Sequence, residues 1–218
     1  MYTVKIGHYS ADIYPDDPGF PVIYLHTEHE SGEEIHSRMT QCCTLIVIYG
    51  TDWNRDFSTQ PAAKVFRKGE DFSGGAPQYL KTLTETILPE IETNLPFPVA
   101  DRGIAGYSLA GLFALYAGYL TPIFNRIASV SGSMWFDGWA EYALVNFPAN
   151  PTAKIYLSLG DREQIGKNPR MNRVRDCTDA ISAHLKEKHA ILYEINPGGH
   201  FNDGAGRTAK AIETLCGM

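Results

Sequence analysis

Cysteine is scarce: four in 218 residues, Cys42, Cys43, Cys177 and Cys216, without C-x-x-C spacing. Two of them are adjacent and cannot easily bridge each other, so the expectation is reduced, packed thiols, as in a cytoplasmic protein. No excess of basic residues is present either. The formal net charge is −6 and the pI about 5.6, which argues against a nucleic-acid partner because phosphate binding wants a basic surface. The N-terminal "MYTVKIGHYSADIYPDDPGF" lacks the basic start and apolar run of a secretory leader, and no apolar stretch approaches bilayer length. The expectation is a cytoplasmic chain without a membrane partner. There is no internal repeat, no low-complexity tract and no linker between two compositions, so residues 1–218 read as one domain.

What the chain does have is a globular balance, 44% hydrophobic and 20% charged, with apolar runs that alternate with helical patterns. "FPVIYLH" (20–26), "CTLIVIYG" (43–50), "RGIAGY" (102–107), "RIASVSG" (126–132), "KIYLSLG" (154–160) and "AILYEIN" (190–196) are short, largely apolar runs that each hold a β-branched residue. Such runs mark parallel strands buried on both faces. Between them, 77–95 carries Leu80, Leu83, Ile87, Leu88, Ile91 and Leu95 at helical spacing, with Pro89 as a kink or break. Residues 108–120 are nearly all apolar and predict a buried helix. Met171, Val174, Cys177, Ile181 and Leu185 form a stripe over 169–189, and a helix closes the chain. This alternation predicts a three-layer α/β sandwich with a mostly parallel sheet and an antiparallel N-terminal edge. In such sheets functional residues gather at the C-terminal ends of the strands.

Ser108 stands at one of those ends, inside "GIAGYSLAGL". A strand ends at Gly106-Tyr107 and a helix begins at Leu109, so the serine sits on a sharp turn that small neighbours make possible. The N–H of Leu109, at the helix N-terminus, is then free to stabilise an oxyanion. The competing reading is a serine that merely caps a buried helix. A nucleophilic serine needs a base, and the base an orienting carboxylate. His200, in the glycine-rich "NPGGHFND" past the last strand, suits the base, whereas His184 and His189 belong to a Lys- and Glu-rich helix. The strand between serine and histidine exits through "YLSLGDREQIG". It offers Glu163, favoured because the turn has room to bring its side chain back, and Asp161 as competitor. The order Ser108, Glu163, His200 is that of α/β hydrolases.

"PVIYLH", "IAGYSLAGLFALY", "SGSMWF", "LGDRE" and the late "GGH" together resemble the putative-esterase branch of the α/β hydrolases. That branch includes esterase D-type S-formylglutathione hydrolases, feruloyl and acetyl esterases, and siderophore esterases. The likeness runs from about residue 20 to the C-terminus. It implies an α/β-hydrolase fold without a large lid domain and hydrolysis of a small-molecule ester. Ser108 would be the nucleophile, His200 the base and Glu163 or Asp161 the acid, with no metal or organic cofactor. Two positions depart from the family pattern: Ala110 stands where a glycine is usual, and His26 is followed by Thr27 instead of glycine. Thr27 N–H is the candidate for the second oxyanion donor.

Three further features compete for function. "HTEHE" (26–30) resembles a metal set, but it follows a strand and lacks the H-E-x-x-H spacing, so a place beside the site is expected instead. Trp53, Trp135 and Trp139 alternate with Asp, Asn and Gly in loops at the same end of the sheet; they fit an aromatic-walled pocket as well as core packing. Lys167, Arg170, Arg173 and Arg175 read as a solvated helix face, with a basic rim for an anionic substrate as the lesser reading. The expected activity is a serine carboxylic-ester hydrolase acting on an aryl, acyl-sugar or siderophore ester. A thioesterase or acyltransferase on the same residues, or a non-catalytic hydrolase-like binding module, are the alternatives.

Overall fold

The computed structural model describes residues 1–27 and 29–218, with only the backbone of His29 and Glu30. The chain opens with the hairpin β1 (Tyr2–Ile6) and β2 (Tyr9–Tyr14), followed by β3 (Val22–His26), α1 (His29–Ser37) and β4 (Thr44–Tyr49). Next come the short α2 (Trp53–Asp56), a separate two-stranded ribbon of β5 (Pro61–Ala62) and β6 (Phe72–Ser73), α3 (Ala76–Thr82) and α4 (Leu88–Thr93). The alternation then becomes regular: β7 (Arg102–Tyr107), α5 (Leu109–Leu120), β8 (Arg126–Val130), α6 (Trp139–Ala143) and β9 (Lys154–Gly160). It finishes with α7 (Pro169–Asn172), α8 (Val174–Leu185), β10 (Ala190–Asn196) and α9 (Gly204–Gly217).

Eight strands form one sheet in the order β1-β2-β4-β3-β7-β8-β9-β10. Pairing is parallel from β4 to β10 and antiparallel where β1 meets β2 and β2 meets β4, so the N-terminal edge is antiparallel as expected. Successive strand residues serve opposite layers. Tyr24, Ile46 and Ile104 pack under the layer that holds α3, α4 and α5, while Ile23, Leu25, Val47 and Ala105 pack under α1 and α9. Both faces are therefore apolar, which explains the uninterrupted hydrophobic runs. This is the α/β-hydrolase-type sandwich. Among the described residues no helix is long and apolar enough to cross a membrane.

Two helical expectations change in detail. The 77–95 pattern is two helices joined by a π-turn at Leu83–Ile87, where the Leu88 N–H donates to the Leu83 carbonyl. Pro89 has no N–H to offer the preceding turn, and the wider turn directly before it absorbs that loss while Leu80, Leu83, Ile87 and Ile91 stay buried. The 169–189 pattern also divides, at Arg173. Val174, Cys177, Ile181 and Leu185 keep their buried stripe on α8, but Met171 leaves it for a cavity wall.

Register aligns the strand exits. His26 lies opposite Gly106, Tyr107 opposite Val130, Val130 opposite Ser158, and Gly160 opposite Asn196. The residues that follow each strand, Thr27, Ser108, Ser131, Asp161 and Pro197, thus stand along one edge of the sheet.

Candidate active site

Ser108 has φ 60° and ψ −122°, a conformation that costs an L-residue about 1–3 kcal/mol. It is held there by its neighbours. Its N–H donates to the Val130 carbonyl (3.0 Å), and its own carbonyl accepts from Leu112 and Ser133 (both 3.0 Å). The turn closes only because residue 106 is glycine: a Cβ there would lie 2.3 Å from the Ala110 carbonyl oxygen. Ala110 itself is fully buried, so its methyl is absorbed into the core. Leu109 is the first residue of α5, whose ladder leaves that N–H unused. Thr27 leaves β3 half-buried, level with Tyr107 by the strand register.

The hydroxyl is the first member of a series. Ser108 Oγ lies 3.0 Å from His200 Nε2, and His200 Nδ1 lies 2.7 Å from Glu163 Oε2. The Glu163 side chain is only 2% exposed. Its other oxygen accepts from Gly160 N–H (2.6 Å), Ser131 Oγ (2.7 Å) and Arg207 Nη1 (3.3 Å). Burial alone would raise the Glu163 pKa, but the hydrogen bonds from His200, Ser131 and Gly160 outweigh it and hold the carboxyl below its ordinary value. An ionised carboxylate on Nδ1 leaves Nε2 unprotonated and aimed at the hydroxyl, the arrangement that lets imidazole accept a serine proton.

Asp161 has a different task. Its Oδ1 accepts from Gly198 N–H (2.8 Å) and its own N–H donates to the Asn196 carbonyl (2.8 Å), which staples the β9 exit to the loop that carries His200. Three partners escaped sequence reasoning. Ser131 (φ 47°) sits on a strained turn after β8 and turns its hydroxyl to Glu163. Arg207 is 4% exposed on α9; it also reaches Ser131 Oγ (3.3 Å) and the Pro197 carbonyl (2.7 Å). The Tyr107 hydroxyl donates to the His200 carbonyl. Ser131 carried a signal, a serine after an apolar strand in "SVSGS"; Arg207 carried none, because a buried arginine on an amphipathic helix looks like any exposed one.

Ser108 and His200 open into a cavity of about 430 Å³, walled by Trp53, Phe66, Phe72, Trp135, Met171 and Phe201. Trp53 and Trp135 are where the sequence reading put them. Trp139 is not: it is 2% exposed, packs edge-on to Tyr119 (5.3 Å) and donates to the Met134 sulfur (3.1 Å). It opens α6, and that helix turns its ring into the core. A second chamber of about 460 Å³ lies across His200, with Arg162, Lys167, Asn168 and Asn202 in its walls. Of the basic cluster, only Lys167 lines a chamber. Arg170 is chelated by Asp137 (2.8 and 3.1 Å), donates to the Ala63 carbonyl (2.6 Å) and covers the Trp135 ring at 5.6 Å. Arg173 pairs with Glu141 and Arg175 with Asp179. In "HTEHE", His26 is wholly buried, with Nε2 2.9 Å from the Tyr79 hydroxyl. Glu28 and the side chains of His29 and Glu30 lie outside the described residues, and with them the metal reading of that segment.

The family described as "Putative esterase" matches residues 14–200. The chain belongs to it. This esterase is 28% identical over 188 residues to the uncharacterized protein YbbA of Bacillus subtilis (strain 168), a match that covers 79% of this chain and 74% of the relative. Its fold is similar to that of an IroE-like serine hydrolase from Shewanella oneidensis, with a TM-score of 0.77 and 17% identity, over 96% of this chain and 75% of the other. It is similar also to the siderophore hydrolase EstA from Aspergillus nidulans, with a TM-score of 0.71 and 16% identity, over 96% and 90%. The family makes the chain an ester hydrolase, and the solved structures share its fold.

Proposed function

We propose that this esterase is a serine carboxylic-ester hydrolase that works through an acyl-enzyme, with Ser108, His200 and Glu163 as its reacting and orienting groups. The observation that carries the reading is the unbroken series of contacts, 3.0 Å from Ser108 Oγ to His200 and 2.7 Å from His200 to Glu163. Ser108 Oγ attacks the ester carbonyl as His200 Nε2 takes its proton. The Leu109 N–H, with Thr27 N–H as second donor, binds the oxyanion. Collapse passes the proton from His200 to the departing alkoxide. Water, deprotonated by the same imidazole, then releases the acid and restores the serine. The reaction balances with water alone.

The substrate is a small ester with an aryl or other flat apolar part. Trp53, Phe72, Trp135 and Phe201 line the cavity into which the hydroxyl opens, and its volume of about 430 Å³ falls within the usual range for small ligands, about 300–1,000 Å³. A siderophore ester fits this description and is in keeping with the siderophore hydrolase of the same fold. A fluorophosphonate probe tests the nucleophile: it should label Ser108 and abolish hydrolysis of an aryl acetate. Ser108→Ala should resist labelling and lose about 10⁴-fold or more in kcat. A folded Ser108→Ala protein that keeps a tenth of its activity would remove the assignment.

A further inference from the structure

Three of the four thiols meet at a place the ester chemistry does not use. Cys42 and Cys43 end the connection from α1 to β4, and Cys216 lies in the last turn of α9. Their sulfur atoms all lie within 4.8 Å of one another. Cys43 is buried; Cys42 and Cys216 are half-buried and reachable from solvent. Cys43 immediately precedes Thr44, which pairs with Val22 at the start of β3, so the cluster stands at the N-terminal ends of the strands. Ser108 and His200 stand at the C-terminal ends, a strand length away, roughly 17–20 Å.

We propose that Cys42, Cys43 and Cys216 form a three-thiolate site for a soft closed-shell cation, Cu⁺ or Zn²⁺, separate from the ester centre. The spacing suits one ion. A cation about 2.3 Å from each of three sulfurs spaces them about 3.8–4.0 Å apart, so the cluster needs to contract by about 1 Å at most. The donor set is thiol only, which favours soft ions over Mg²⁺ or Ca²⁺. Both segments are held in place by bonds that leave the sulfurs free. Thr40 gives its N–H and its hydroxyl (2.6 Å) to Glu213, one turn before Cys216. Arg126, paired to Asp101 at 2.8 Å, donates to the carbonyls of Leu215 and Cys216. An entry path exists as well: a cavity of about 80 Å³ reaches Cys43 between His36, Met39 and Thr40.

The experiment uses the full chain, stripped with chelator and kept reduced. Cu⁺ is titrated in competition with a bathocuproine chelator, Zn²⁺ against a chromogenic chelator, and Co²⁺ serves as a spectroscopic probe. One equivalent of Cu⁺ or Zn²⁺ should bind, and Co²⁺ should give a thiolate charge-transfer band. Cu⁺ alone points to three-coordination; Zn²⁺ as well points to a fourth donor, for which His36 lines the adjoining cavity. Cys42→Ser and Cys216→Ser, both at half-buried positions and checked for folding by circular dichroism, should each weaken binding tenfold or more, and Cys177→Ser should not. Ester turnover should be unchanged in all three variants. Failure of both ions to bind, affinity that survives Cys216→Ser, or two of the three thiols recovered as a disulfide from the reduced preparation would each overturn the proposal.

Discussion

Replacing Glu163 by glutamine removes one charge and almost no volume, yet the site dictates how the amide must sit. One carboxylate oxygen is surrounded by three donors, Gly160 N–H, Ser131 Oγ and Arg207. The amide carbonyl must take that position, because an NH₂ there would face N–H groups. The NH₂ then faces His200 Nδ1, which can only accept from it, so the proton moves to Nε2 and the imidazole can no longer receive one from Ser108. A carboxylate-to-amide change with this outcome in a serine triad lowers kcat by about 10⁴-fold, roughly 5.4 kcal/mol of transition-state stabilisation. Asp161→Asn is the matched control. Asp161 Oδ1 accepts from Gly198 N–H, a bond that the asparagine oxygen keeps, so turnover should stay within about tenfold of the parent. The assay is kcat/KM on an aryl acetate for both variants, with thermal melts alongside. The melts matter because Glu163→Gln leaves Arg207 buried without its anion, a situation that costs about 3–5 kcal/mol. Folded Glu163→Gln protein with more than a tenth of normal kcat, or an inactive Asp161→Asn, would refute this account.

Trp53→Ala should weaken kcat/KM for aryl esters more than for small acetyl esters, by about 1–3 kcal/mol, because Trp53 walls the cavity. Trp139→Ala should instead cost about 3–5 kcal/mol of stability in urea and leave the aryl-to-acetyl ratio unchanged; equal ratios in the two variants would contradict their placement. Burial holds the His26 pKa down to about 3, against about 6.5 for the unfolded chain. The unfolded state therefore takes up a proton that the folded state refuses, and stability falls as pH drops below about 6.5, by about 1.4 kcal/mol per unit down to about pH 3. Burial also lowers His36 and His189, so the contribution of His26 is isolated by comparing urea unfolding of the parent and His26→Gln at pH 7 and 5. An equally steep loss in the variant would show that His26 is not responsible.

The elements legible in the sequence are those with local causes. Buried parallel strands must be apolar on both faces, and the serine turn needs small residues beside it, so the sheet and Ser108 can be read directly. The choice between Glu163 and Asp161 could not be read in the same way. Both follow β9 within three residues, and only the position of the 197–200 loop decides which carboxylate meets the imidazole. Trp139 shares its polar and glycine neighbours with Trp135, and the short α6 that turns it inward has no strong periodicity. Arg207 and the β5–β6 ribbon were silent for a related reason: a buried charge and two-residue strands acquire meaning only from what packs on them.

That ribbon separates two jobs. β5 and β6 pair only with each other, yet their connection brings Lys64, Val65 and Phe66, and β6 itself brings Phe72, to the cavity wall. It is moored from the far side by Asn168, through the Val65 carbonyl, and by Arg170, through the Ala63 carbonyl. None of these moorings touches Ser108, His200 or Glu163. Insertions and substitutions between residues 61 and 73 can therefore redraw that side of the cavity without touching Ser108, Glu163 or His200. Within this architecture one side of the cavity wall belongs to a stretch of chain that holds none of Ser108, Glu163 and His200, so a swapped ribbon would reshape that side alone.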